Sequence, residues 1–248
     1  MNERSNFAVV TAAASGIGRA IAESLIKAGW RVAITDIDEE KGRETAEAIG
    51  CAFHLCDMGD PAAIERVFAG FPTIGLLVNN AGVAGPTLPV LEMPVSEWQR
   101  TMEINLTSHF VAAKCALPGM IAAKFGVIIN MSSVAAKIGY PNRSVYAASK
   151  WGILGLTASL AREVGTMGIR VNAILPAAIR GERIINVVKA YAEANDLSFE
   201  EAEAYYLSRQ ANRAFIEPEE VAATVLFLVS DGARSITGQF IGVNGGYE

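Results

Sequence analysis

The chain has 248 residues, of which 51% are hydrophobic, with 23 Gly and 9 Pro, a length and composition suited to one sizeable domain with a large buried core. Its 21 Lys and Arg against 26 Asp and Glu leave a net charge of −5, and no long basic block occurs, so neither nucleic acid nor membrane is an expected partner. The opening MNERSNFAVVT lacks the positive flank and apolar stretch of a secretory signal, and no run approaches the roughly 18 apolar residues of a membrane span. Cys51, Cys56 and Cys115 are scattered without metal-ligand spacing and read as reduced thiols of a cytoplasmic protein. His54 and His109 are too far apart in sequence to suggest a metal site, and no metal is expected.

In chain order, the first expected strand, Phe7–Thr11, runs into Thr11-Ala12-Ala13-Ala14-Ser15-Gly16-Ile17-Gly18. A helical pattern over 16–28 follows, with Ile17, Ala20, Ile21, Ser24 and Leu25 on one face. A strand-to-helix turn of small residues lets backbone N–H groups and a helix N-terminus approach a pyrophosphate. Ser15, Gly16, Ile17 and Gly18 are the expected contacts. The second strand, Arg31–Asp36, ends on a carboxylate that can accept both hydroxyl hydrogens of an adenosine ribose and repels a 2′-phosphate. No Lys or Arg stands at 35–37, so NAD is expected rather than NADP. Asp38 can cap the next helix and leave Asp36 for the ribose. A weaker strand covers 51–55, and further Val- and Ile-rich runs are Leu76–Asn79, Gly126–Met131, 170–174 and 239–243.

Continuous apolar strands interleaved with amphipathic helices predict an α/β fold: a doubly wound parallel sheet, Rossmann-like, of about seven strands with right-handed crossovers. Residues 1–248 are expected to form a single dinucleotide-binding and catalytic domain. The longest interruption, 177–217, carries helical stretches around 182–194 and 199–210 and is expected to be a substrate lid.

Further motifs follow in order: Asn79-Asn80-Ala81-Gly82, Asn105 within Ile-Asn-Leu, Ser133 ending Asn-Met-Ser-Ser, and Tyr-Ala-Ala-Ser-Lys from Tyr146 to Lys150. With the glycine turn, they resemble the short-chain dehydrogenase/reductase family in its one-domain form, over essentially the whole chain. The resemblance implies an oxidoreductase moving a hydride between NAD and a small secondary alcohol or carbonyl compound. It implies a catalytic tetrad of Asn105, Ser133, Tyr146 and Lys150, with Ser133 preferred to Ser132 because it precedes Tyr146 by 13 residues. It places Asp57, with Met58 beside it, at the adenine, Asn80 against the cofactor, Tyr146 and Lys150 at the nicotinamide ribose, and the Ile179 backbone at the carboxamide. Two departures stand out. Ala12 replaces the first glycine of the turn, which is strained only if its φ is positive. Pro176-Ala177-Ala178-Ile179-Arg180-Gly181 replaces Pro-Gly-x-x-x-Thr, and Gly181 has no hydroxyl for the carboxamide.

Hydride transfer at a carbonyl carbon needs proton transfer at its oxygen. A tyrosine hydroxyl, with an ordinary pKa of about 10, is too weak a base near neutrality unless a cation favours its anion. Tyr146 and Lys150 stand i, i+4 on an expected helix, so Lys150 is suited to that task. Ser133 is expected to donate to the substrate oxygen as charge develops, and Asn105 to orient a water connecting Lys150 to solvent. Arg143, Arg180 and Arg183 could grip a substrate carboxylate bidentately, pointing to a hydroxy acid; otherwise a polyol, sugar or cyclic alcohol is expected. A catalytically silent dinucleotide-binding regulatory protein is the alternative, but it could dispense with the tetrad. Trp151, Leu154, Ala158 and Arg162, with the apolar stretch 240–247, are expected to join copies into a homotetramer or homodimer.

Overall fold

A computed structural model describes residues 5–247, with only the backbone of Arg183 and Ala194, so the substrate role expected of the Arg183 side chain lies outside what is described. The apolar runs form one parallel sheet from β1 (Phe7–Thr11), β2 (Arg31–Asp36), β3 (Ala52–Leu55), β4 (Leu76–Asn79), β5 (Gly126–Met131), β6 (Ile169–Pro176) and β7 (Phe240–Val243). Their order across the sheet is β3-β2-β1-β4-β5-β6-β7. Progression reverses between β1 and β4, which opens a crevice at the carboxyl edge where such sheets bind ligands.

Nine helices stand among the described residues: α1 (Gly16–Lys27), α2 (Glu39–Ile49), α3 (Pro61–Phe68), α4 (Val95–Met102), α5 (Ser108–Ala123), α6 (Ser144–Val164), α7 (Glu182–Asn195), α8 (Phe199–Ser208) and α9 (Pro218–Val229). Alternate strand residues feed opposite layers. Val9, Leu77, Ile128 and Val171 pack with Ile64 and Phe68 of α3, Val111 and Met120 of α5 and Leu160 of α6. Val10, Ile34, Val78 and Ile129 pack with Ile21 and Leu25 of α1 and Val221 and Leu228 of α9. Burial on both faces is why these strands are apolar without interruption. Truncating a fully buried member such as Leu77 to Ala should cost about 2–5 kcal/mol. Asp38 caps α2 by accepting from the Lys41 N–H, and Gly50 closes it at φ 74°.

Two observations refine the sequence reading. Leu154 does not face outward: it is 6% exposed and packs with Ala136, Ala173 and Leu175. Trp151, one turn earlier, is 52% exposed. Residues 95–123 form one continuous helix, through a π turn at Glu103–Thr107, that is long and apolar enough to cross a membrane by composition. Its residues Val111, Ala112, Ala113, Ala116 and Met120 are instead buried against the sheet and α3.

Residues 177–217 leave and rejoin the sheet at one place. Ile179 bridges Ile216, the Arg180 N–H donates to the Ile216 carbonyl at 2.9 Å, and the Ile216 N–H donates to the Ala178 carbonyl at 3.0 Å. Buried Gln210 accepts from the Ala178 N–H at 3.0 Å. The α7–α8 pair carries its own small core of Val188, Ala192 and Ala202, flanked by Tyr191 and Tyr206.

Candidate active site

The ends of six strands, the π turn at Glu103–Thr107 and α6 build the site. At the end of β1, Thr11 is buried, and its Oγ1 accepts from the N–H groups of Asn80 and Ala81 at 3.0 and 3.1 Å, tying the glycine turn to the loop after β4. Asn80 returns the tie, donating through Nδ2 to the carbonyls of Thr11 and Ala12 at 3.1 and 2.8 Å. The sequence motif marked Asn80 for the cofactor; here its amide holds the turn that would face it. Thr45 of α2 donates to the Ala14 carbonyl at 2.8 Å, securing the turn from the other side.

Ala12 has φ +50°, so the residue in place of glycine sits in the left-handed region, where a methyl is strained. Gly16 has φ +55°. At Gly18 a Cβ would fall 2.6 Å from the Ala12 carbonyl oxygen and 2.7 Å from Asn80 Nδ2, so only glycine lets α1 start this close to β1. The N–H groups of Ser15, Gly16, Ile17 and Gly18 make no hydrogen bond to described residues and open α1, a donor set that fits a pyrophosphate.

Asp36 is half-buried at the end of β2, accepting from the Ala14 N–H through Oδ2 at 2.9 Å and from the Asp38 N–H through Oδ1 at 3.1 Å. An ionised carboxylate has about four acceptor positions, so about two remain for ribose hydroxyls. Asp57 lies at the same edge, past β3, and its Oδ1 accepts from the Gly59 N–H at 2.8 Å. Met58 turns its side chain inward, 6% exposed, leaving only its backbone for a cofactor. The Ile179 N–H and carbonyl make no hydrogen bond to described residues, since the bridge to Ile216 uses the groups of Ala178 and Arg180, so both remain available. These donors and acceptors fit a dinucleotide laid across the carboxyl edge.

Next to this cradle the structure gathers the other expected residues. Asn105 lies buried in the π turn, an irregularity that often marks functional positions. Its Oδ1 accepts from the Val83 N–H at 2.7 Å, while Nδ2 donates to the Val83 carbonyl and to Ser149 Oγ, both at 3.0 Å. Only one lone pair of Oδ1 is then left for the expected water. Lys150, 3% exposed, donates from Nζ to the Met131 carbonyl at 2.9 Å. A Cβ on Gly82 would stand 3.2 Å from Lys150 Nζ and 3.4 Å from Asn105 Oδ1, so the last glycine of the Asn-Asn-Ala-Gly element is where these two side chains meet.

Ser132 donates to the Lys150 carbonyl at 2.8 Å and so faces the helix. Ser133 Oγ accepts from the Ala135 N–H at 3.2 Å, which leaves its hydroxyl hydrogen free to donate. Of the two hydroxyls, Ser133 is therefore the one that keeps a hydrogen to give. Tyr146 is half-buried on α6, with Lys150 Nζ 5.8 Å from its ring centroid and Arg143 Cζ 4.7 Å from it. Two cations so placed favour negative charge on the phenol oxygen when it gives up its proton.

His109 is buried beside this cluster with Nε2 3.1 Å from the Ala81 carbonyl, so Nε2 carries the hydrogen and donates. Burial, reinforced by the Lys150 charge, pushes its pKa down to about 3 and keeps the ring neutral. In the sequence His109 has no role beyond its exclusion from a metal site, Thr11 and Ser149 show only as members of motifs, and nothing marks the carbonyls of Val83 and Met131. The partners of such backbone acceptors and small hydroxyls are found only through the fold. The expected arginines separate: Arg180 is 58% exposed and pairs with Glu217 at 2.7 Å, whereas Arg143 is buried within the cluster.

The model of the family described as "Enoyl-(Acyl carrier protein) reductase" matches residues 11–248. The chain belongs to the short-chain dehydrogenase/reductase family. It is 38% identical to the cis-4-hydroxycyclohexanecarboxylate dehydrogenase of Sinomonas cyclohexanicum, covering 97% of this chain and 95% of that one. The same organism's trans-4-hydroxycyclohexanecarboxylate dehydrogenase is 35% identical, over 96% of this chain and 91% of that one. Among solved structures, a single-substitution variant of the actinorhodin polyketide ketoreductase with NADPH superposes with a TM-score of 0.93 at 32% identity, covering 99% of this chain and 98% of the other. The protein is therefore an oxidoreductase that transfers a hydride between a nicotinamide dinucleotide and a small alcohol or carbonyl compound, and this is favoured over a silent regulator.

Proposed function

We propose that this short-chain dehydrogenase/reductase is an NAD-dependent secondary-alcohol dehydrogenase and ketone reductase, with Asn105, Ser133, Tyr146 and Lys150 as its catalytic residues. The observation that carries the reading is the junction of α6 with the end of β5. Ser133 keeps a hydrogen to donate there, and Tyr146 lies beside two cations. When bound, the nicotinamide supplies or takes up the hydride. In the oxidative direction Tyr146 removes the proton of the substrate hydroxyl, Ser133 holds the same oxygen, and Lys150 stabilises the phenolate. Asn105 fixes the loop at Val83 and offers its remaining lone pair to a water near Lys150. Ser15, Gly16, Ile17 and Gly18 hold the pyrophosphate, and Asp36 the adenosine ribose. Asp57 and Met58 stand at the adenine, Asn80 keeps the turn in shape, and the Ile179 backbone meets the carboxamide.

Support for NAD comes from Asp36: it has acceptor positions beyond those taken by the Ala14 and Asp38 N–H groups, and a 2′-phosphate would meet a fixed negative charge. The ketoreductase neighbour holds NADPH, so family membership alone does not choose the cofactor. The segment 177–217 is the substrate lid of a single domain, its two ends clasped at Ile179 and Ile216. Copies associate as a homotetramer through Trp151 on α6 and the stretch around Phe240, both of which leave large apolar side chains exposed. A cytoplasmic location fits three free thiols, two of which burial pushes up to about 11, away from reactivity. The test is a hydride-transfer assay of the purified protein with NAD or NADP and a panel of secondary alcohols grouped as acids, polyols and hydrophobic alcohols. Turnover with NAD and at least one group is expected. No turnover with any group in either direction would overturn the reading, and light scattering showing only monomers at micromolar concentration would overturn the tetramer.

A further inference from the structure

We propose that Arg143 is the anchor for a carboxylate on the substrate, so that the enzyme acts on secondary alcohols, or the matching ketones, that carry a carboxylate a few bonds from the reacting carbon. This deepens the reading above and rests on Tyr146 being the proton-transfer residue. Arg143 is 7% exposed and stands one turn before Tyr146, as the N-cap residue of α6. Of its three guanidinium nitrogens, Nη2 donates to the Ala84 carbonyl at 3.1 Å, Nε is enclosed without a partner, and Nη1 makes no hydrogen bond to a described residue. No carboxylate among the described residues lies within ion-pair reach of it. A guanidinium taken out of water without a counter-charge is costly, and the cost falls when an anion arrives.

The surroundings indicate where that anion comes from. Cζ lies 4.7 Å from the Tyr146 ring centroid and 5.1 Å from that of Tyr140, so the cation rests against both rings, one of them the ring that carries the reacting hydroxyl. Tyr140 in turn meets Tyr206 of α8, with the two hydroxyl oxygens 3.4 Å apart. Arg143 therefore sits at the junction of the loops after β4 and β5 with the 177–217 segment. An acidic substrate entering under that segment would neutralise it. The aromatic rings of Tyr140, Tyr146 and Tyr206 supply apolar walls for the body of such a substrate. Two relatives named for hydroxycyclohexanecarboxylates carry this combination of groups in their substrates: a carboxylate, an apolar ring and a secondary alcohol.

The test uses the NADH-loaded protein and a panel of unreactive short linear and cyclic carboxylates, cyclohexanecarboxylate among them, each paired with its primary amide. Binding to that complex is read by calorimetry, and turnover is followed separately with NAD⁺ as hydride acceptor and the corresponding hydroxy acids and hydroxy amides. The wild type should bind at least one carboxylate and oxidise the corresponding hydroxy acid with KM about 10- to 100-fold below that of its hydroxy amide. Arg143→Gln should abolish that preference, raising KM for the acid to about that of its amide, and Arg143→Lys, which keeps the charge but not the fork, should restore part of it. Equal binding of acids and amides by the wild type overturns the proposal. So does an equal loss for both in Arg143→Gln, which would make the residue a support for Tyr146. Thermal unfolding of both variants checks that they fold. If no alcohol is turned over at all, the reaction proposed above fails, but the calorimetric comparison still decides the carboxylate site.

Discussion

Replacing Asp36 by Asn removes one charge at the end of β2 and changes little volume, so it isolates the electrostatic part of cofactor choice. A bound NADP would bring a 2′-phosphate of charge about −1.5 to −2 to this edge. Two unit charges about 4 Å apart interact by about 4 kcal/mol at the effective dielectric near a protein surface. Asp36 is half-exposed, so screening should leave about half of that for each unit of phosphate charge. A preference for NAD of about 3–4 kcal/mol follows, or roughly 100- to 1,000-fold in kcat/KM. The Asn variant loses the repulsion but keeps one carbonyl oxygen. That oxygen should stay with the Ala14 N–H, which lies behind a residue only 2% exposed and would cost about 1–3 kcal/mol unpaired. The new amide hydrogens then face the Asp38 N–H in place of an acceptor, so kcat/KM for NAD should drop about 10-fold while that for NADP rises. Steady-state kinetics with each cofactor at saturating alcohol measure the ratio. Comparable kcat/KM values in the wild type, or a ratio unmoved by Asp36→Asn, would show that this carboxylate does not choose the cofactor.

Tyr146→Phe should lower kcat by about 100- to 10,000-fold while NADH binding, followed by fluorescence, stays unchanged; a variant retaining more than about a tenth of kcat is incompatible with Tyr146 as acid and base. Ala12→Gly should be nearly neutral, within about 1 kcal/mol by thermal unfolding. It relieves about 1–2 kcal/mol of left-handed strain but loses a half-buried methyl and gains unfolded-chain entropy, so a gain or loss well beyond that range would refute the φ of +50° as the source of strain. His109 should make the protein acid-sensitive. Its pKa is lowered from 6.5 to about 3 in the folded state, so the unfolded chain takes the proton first. Its contribution is complete above about pH 6.5 and is lost as pH falls toward 3, about 2 kcal/mol being gone at pH 5. Denaturant titrations of His109→Gln, whose amide can still donate to the Ala81 carbonyl, should show a flatter fall between those values, and an identical slope would count against burial of a neutral ring.

Much of the sheet was legible because parallel strands covered on both faces must be apolar throughout. The boundaries of β1, β2, β4 and β5 are those read from the Val- and Ile-rich runs. The expected sixth strand stopped short because Leu175 and Pro176 pair with Gly242 and Val243, and composition does not show where pairing ends. The outward face of α6 was misassigned at Leu154. That helix buries Val145, Ile153, Leu154, Thr157, Leu160 and Ala161, so apolar residues lie on most of its sides and periodicity alone cannot pick the free one. The φ of Ala12 was not readable either, since the left-handed alanine is held by Asn80, whose amide grips the Thr11 and Ala12 carbonyls from a loop about 70 residues away. The separation of Arg143 from Arg180 also depended on tertiary contacts: only the fold brings Glu217 to one and Tyr140 to the other.

The two cations beside Tyr146 differ in a way that divides chemistry from recognition. Lys150 ends on the Met131 carbonyl, an acceptor supplied by β5 itself, and its helix is pinned to the same strand through Ser132. Its position follows from the sheet, so any change of substrate leaves it in place. Arg143 rests on loop groups, the Ala84 carbonyl and the rings of Tyr140 and Tyr146, and keeps donors that no described residue accepts. Loops can change without disturbing the sheet. One fold can therefore hold proton transfer constant at Lys150, Tyr146 and Ser133 while the loops after β4 and β5 and the segment 177–217 set what is presented to it. On that division, exchanging residues around Arg143 should alter KM among substrates long before it alters the rate of hydride transfer.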